Sequence, residues 1–132
     1  MYNLWINFLV IFVLTSCVSS VNPIQKDMKD IGLPRRDIGI EIDFLSGFDG
    51  KDVKVYLNNV IVFNKKISAN YEPLELLDSI AIDEELNQFK LKITIDGKVY
   101  WIDVDADDGR YFSFYFMNTL EVLQYKFPVF YN

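Results

Sequence analysis

From Ile38 onward the chain alternates. Ile38, Ile40, Ile42 and Phe44 are apolar, and Asp37, Gly39, Glu41 and Asp43 separate them. Successive side chains of a strand point to opposite faces, so this spacing predicts a strand with one apolar face. Ser46-Gly47-Phe48-Asp49-Gly50 supplies a turn. Val53–Leu57 and Val60–Phe63 read as two more strands joined by Asn58-Asn59. Asparagine tolerates the positive φ that a two-residue hairpin requires.

The sharpest pattern runs from Phe89 to Asp105. Asp96-Gly97 is the strongest short hairpin signal, and a two-residue loop there sets Ile95 opposite Lys98. Ile93 then faces Tyr100, Leu91 faces Ile102 and Phe89 faces Val104, all on one face. The other face pairs Lys92 with Trp101 and Lys90 with Asp103. A slip of one residue would destroy both sets of matches.

A further strand is expected over Arg110–Phe116, with Phe112, Phe114 and Phe116 inward and Tyr111, Ser113 and Tyr115 outward. An odd-length loop through Ala106–Gly109 would keep Ile102 on the side of those phenylalanines. A last strand is expected from about Leu120 to Phe127. Pro128, which has no N–H for a ladder, marks it as an edge. Leu74–Leu86 reads two ways. Pro73 followed by Leu74, Leu76, Leu77 and Ile80 can open a helix, and Ser79–Ile82 can form a short strand. A turn and then a strand is preferred, because everything around it is β, with Asp83-Glu84-Glu85 in a loop. The sum is seven to eight short strands. That predicts an all-β fold, an antiparallel sandwich of immunoglobulin-like or similar type, over residues 37–132.

The N-terminal stretch has no such alternation. Phe8–Leu14 is an unbroken apolar run that gives way to Thr15, Ser16, Ser19 and Ser20. A membrane-spanning helix needs roughly 20 apolar residues. An apolar run of about 7–15 residues ending in small residues has the form of a secretory signal. Leu14-Thr15-Ser16-Cys17 resembles the lipobox of bacterial envelope lipoproteins. The resemblance covers only the start of the chain. It departs from the pattern in one respect, since Met1-Tyr2-Asn3 carries no Lys or Arg. It implies cleavage after residue 16, with a diacylglycerol on the sulfur of Cys17 and acylation of the new amino terminus. Residues 1–16 are then a removed signal peptide, and Cys17 fixes the mature protein to a membrane. In such lipoproteins, a residue other than Asp after the cysteine, here Val18, implies the outer membrane if the host has two membranes. Residues 17–36 mix Ser, Asn, Pro, Gly and alternating charge. They read as a flexible tether, with room for one helical turn near Lys26–Asp30.

Charge narrows the function classes. The formal net charge is −6, and residues 1–16 contain no charged side chain. An acidic protein lacks the basic surface that displaces counterions from nucleic acid, so no nucleic-acid partner is expected. No histidine is present, which removes Ser-His-Asp chemistry, the usual zinc ligands and the commonest general base. No cofactor is implied, and catalysis is not expected. Cys17 is the only cysteine, so no internal disulfide can form, and the core must hold the fold.

Two features carry candidate binding chemistry. Asp103, Asp105, Asp107 and Asp108 crowd into one turn, and alternating carboxylates suit a hard cation such as calcium. An EF-hand is excluded, because Asp108 and Phe114 stand where that loop needs Gly and Glu. A solvated acidic turn is preferred, with no metal. Trp101, Tyr111 and Tyr115 are expected to share one outer face, where aromatic rings can stack on sugars or anchor a protein. The carboxylates Glu72, Glu75, Asp78, Asp83, Glu84 and Glu85 show no convergence that glycoside hydrolysis would need. The sequence thus predicts a lipid-anchored binding or adaptor module for a protein or envelope component. A carbohydrate- or calcium-binding surface module is the second reading.

Overall fold

The computed structural model describes residues 18–68 and 76–129. Cys17, the apolar run before it, and Glu72 to Glu75 lie outside the described residues. Ten strands appear: β1 Val18–Val21, β2 Ile24–Lys26, β3 Ile40–Phe44, β4 Asp52–Leu57, β5 Val60–Lys66, β6 Asp78–Ile82, β7 Gln88–Ile95, β8 Lys98–Asp105, β9 Tyr111–Met117 and β10 Thr119–Tyr125. They form two five-stranded sheets. Sheet 1 has the order β1-β8-β7-β4-β5, and sheet 2 the order β2-β10-β9-β3-β6.

The hairpins follow their turn residues. Asp96 and Gly97 adopt φ of 48° and 82°, and Asn58 and Asn59 adopt 45° and 70°, the left-handed pair that matches strand twist. The β7–β8 register is the one expected, with Ile93 opposite Tyr100, Leu91 opposite Ile102 and Lys92 opposite Trp101. Leu91, Ile93, Tyr100 and Ile102 are all fully buried. The ambiguous stretch resolves as strand β6, which pairs antiparallel with β3.

The inner faces of the two sheets make one core. Val53, Val55 and Leu57 of β4, with the inward residues of β7 and β8, pack against Ile40, Ile42 and Phe44 of β3 and Phe112 and Phe114 of β9. Phe44 stacks on Phe63 at 5.0 Å and meets Phe48 and Phe114 edge-on, arrangements that aromatic quadrupoles favour. Gly47 closes the turn after β3. Its φ is 96°, and a Cβ there would lie 1.6 Å from the Phe116 carbonyl oxygen.

Five sequence expectations are corrected. The sandwich is not antiparallel throughout, because β1 pairs with β8, β2 with β10 and β3 with β9 in parallel. Nor is Ala106–Gly109 a hairpin loop. It is a 3₁₀ turn over Ala106–Asp108 that carries the chain from sheet 1 to sheet 2. Loop parity sets the facing of two strands only where both lie in one sheet. In a sandwich the phenylalanines of β9 face Ile102 from across the core instead. Part of the supposed tether is strand. Residues 18–21 lie on the edge of sheet 1 and residues 24–26 on the edge of sheet 2. The switch falls at Asn22-Pro23, where proline cannot continue a hydrogen-bond ladder. No helical turn forms at Lys26–Asp30. Because β2 covers β10, the last strand is interior, and Pro128 lies beyond its end rather than on an edge.

Candidate functional site

The acidic turn is built from its own backbone. Asp105 caps the 3₁₀ turn by accepting the Asp107 N–H at 3.0 Å. The Ala106 N–H donates to the Asn87 carbonyl at 2.7 Å. Gln124, buried in β10, donates through Nε2 to the carbonyls of Asp105 and Gly109 at 2.8 and 2.9 Å, and its Oε1 accepts from Gln25 at 3.0 Å. Asp103 points elsewhere, toward Lys90 at 3.8 Å on the outer face of sheet 1. Asp107 and Asp108 are exposed. Arg110, next along the chain, donates to the Gly39 and Leu86 carbonyls. Among the described residues no group of three or more Asp, Glu or Cys converges as a metal site.

The expected aromatic platform is not assembled. Trp101 is on β8 and faces outward from sheet 1, whereas Tyr111 and Tyr115 are on β9 and face outward from sheet 2. The two outer faces point in opposite directions. Tyr111 is also buried, and its hydroxyl accepts the Arg36 backbone N–H at 2.7 Å. The segment before β3 lies against this face. Arg36 pairs with Glu41 and Asp83, and the Arg35 guanidinium sits 4.2 Å from the Phe127 ring centroid. Asp43, Ser113 and Tyr125 are buried there too. The Asp43 carboxylate accepts from the Ser79 hydroxyl at 2.7 Å. Burial pushes the Tyr125 phenol above its ordinary pKa, and a hydrogen bond with Ser113 opposes that shift. This face is an internal polar–aromatic layer more than an open platform.

The outer face of sheet 1 is different. Strand pairing lines up Ile61, Tyr56, Lys92, Trp101 and Ser20 in one row across all five strands. The Lys92 ammonium lies 4.4 Å from the Tyr56 ring centroid and 5.7 Å from that of Trp101. The Lys90 ammonium lies 6.0 Å from the Trp101 ring centroid. A cation over an aromatic face is attracted by the ring quadrupole, so the row is held in place by its own charges. Lys54, exposed, stands one row away. Tyr56 joins this row without having stood out as a candidate by sequence. Its outward position is legible from the alternation of β4. Its neighbourhood is not, because β4 pairs with β7 from a separate hairpin.

No protein-family model, curated protein or solved structure matches the chain. The case for function therefore rests on the sequence and this geometry.

Proposed function

We propose that the chain is a lipid-anchored envelope protein that binds rather than catalyses, and that the outer face of sheet 1 is its contact surface. The observation that carries this reading is the Tyr56–Lys92–Trp101 row. It presents two rings and an ammonium to the outside, while the segment through Arg35 and Arg36 covers the part of the opposite outer face around Tyr111. The anchor is Cys17, in keeping with the lipobox-like Leu14–Cys17. The protein then sits in a bacterial cell envelope, on the outer membrane if the host has two membranes. The partner is a protein or another envelope component. The domain is read as immunoglobulin-like, with added parallel N-terminal strands as its departure from that plan.

Sheet faces bind through well-placed aromatic anchors and tolerate loss of surrounding contacts. The soluble fragment of residues 18–132 should cosediment with envelopes from its own cells, and Tyr56→Ala with Trp101→Ala should reduce that binding at least tenfold. Equal binding by the double variant would remove this face from consideration. The second reading, carbohydrate, is favoured by the same two rings, since aromatic faces stack on sugars. Protease treatment of the envelopes should abolish binding if the partner is a protein. Survival of binding after protease, with loss after glycan digestion, would establish the carbohydrate reading.

A further inference from the structure

We infer that the tip of the sandwich formed by residues 46–51, 96–98 and 117–119 lies against the phospholipid surface in which the protein is anchored. The inference rests on the lipid-anchor reading above and adds an orientation to it. Strand β1 begins at Val18, the residue directly after Cys17, and Val18 pairs in register with Val99. Val99 is two residues from the Asp96-Gly97 turn. One residue spans at most about 3.6 Å, so acyl chains on Cys17 enter the bilayer beside this tip. A Gly/Ser-rich linker would let the domain tumble. A strand hydrogen-bonded into sheet 1 does not.

The charged and aromatic residues of the tip contact one another over a buried Tyr100. The Lys98 ammonium lies 5.4 Å from the Tyr100 ring, which is 6.2 Å from the Phe116 ring. Lys51 lies 5.7 Å from Phe116 and 3.4 Å from the Asp96 carboxylate. Met117 is 76% exposed and Val18 58%, which places apolar atoms at the surface near the lipid. At this end Asp96 pairs with Lys51 and Asp78 with Lys65 at 2.6 Å, Asp52 lies opposite Lys66 in register, and Asp49 is exposed without an ion pair among the described residues. The far end carries Glu84, Glu85, Asp107 and Asp108, all exposed and without an ion pair among the described residues. Arg35, Arg36, Arg110 and Lys126 stand near Asp107 at that end as well, so the orientation rests on the β1 attachment and the exposed apolar atoms, and charge adds at most a bias.

The test uses the full lipidated chain in vesicles of phosphatidylethanolamine and phosphatidylglycerol that contain nitroxide-bearing lipid. Met117→Cys and Asp107→Cys each receive a fluorophore, Cys17 being blocked by its thioether. Quenching at residue 117 should exceed that at residue 107 at least threefold. Inserting eight Gly/Ser residues between Cys17 and Val18 should bring the ratio toward one while leaving the protein on the vesicles. Equal quenching without the spacer, or an unchanged ratio with it, would overturn the inference. The mass of the same preparations reports the diacylglycerol. A chain lacking it would overturn the anchor reading and this inference together, whereas a lipidated chain with equal quenching overturns the orientation alone.

Discussion

Tyr100 sits fully buried between the two sheets near the Asp96-Gly97 turn, and its hydroxyl has no hydrogen-bond partner among the described residues. The ring packs edge-on against Phe116, so the aromatic body contributes to the core and the oxygen does not. An unpaired buried polar group costs about 1–3 kcal/mol of desolvation. Tyr100→Phe should therefore leave the urea midpoint unchanged or raise stability by about 1 kcal/mol. A loss of that size would show that the hydroxyl is satisfied in solution. Gln124 is the contrasting case. It is equally buried but fully used, joining β2, the 3₁₀ turn and the Gly109 carbonyl through three hydrogen bonds. Buried polar groups are tolerated when each has a partner.

At the scale of elements, β1 and β2 change what the N-terminal segment does. Each adds a parallel edge strand, one to each sheet. Unpaired edges invite association with other chains, and short covering strands blunt them. A fragment starting at Asp27 should thus be less stable than one starting at Val18, by about 2–4 kcal/mol if each lost backbone hydrogen bond contributes its usual ~0.5–1.5 kcal/mol and ordering entropy offsets part of the sum. Thermal unfolding of the two soluble fragments makes the comparison. Equal midpoints would mean that residues 18–26 act only as a spacer. The β7–β8 hairpin needed no such revision, because its turn, its core face and its outer charge pairs all specify one register.

Across the whole molecule, charge is unevenly placed. Lysines pair with Asp96 and Asp78 at the tip nearest Cys17, where Asp49 stays exposed, and Glu84, Glu85, Asp107 and Asp108 are exposed at the other end. Such a cluster is screened by solvent and salt without any ion. Asp105 is already committed to capping the 3₁₀ turn. Millimolar calcium and a chelator should accordingly give the same melting midpoint within about 1 °C. An ion bound only to the folded state at a hundredfold excess over Kd would add ~2.7 kcal/mol. A rise of several degrees with calcium that disappears in Asp105→Asn would establish the calcium reading.

What the sequence determined by itself is local. Period-two alternation and the Asn58-Asn59 and Asp96-Gly97 turns specified the strands β3, β4, β5, β7, β8, β9 and β10, the two hairpins those turns close, and which side chains of β4, β7, β8 and β9 face inward, but not β1 or β2. These signals act between residues close along the chain, where turn geometry and side-chain alternation leave little choice. Which strands from different hairpins become neighbours was decided only by the tertiary structure. The parallel pairings of β1, β2 and β3 join segments about 70 to 100 residues apart, and no local pattern encodes their direction. The same step separated Trp101 from Tyr111 and Tyr115 by sending β8 and β9 to different sheets, and it set Tyr56 beside Lys92 and Trp101. Burying two apolar sheet faces against each other fixes that arrangement, since it satisfies every strand's inner face at once.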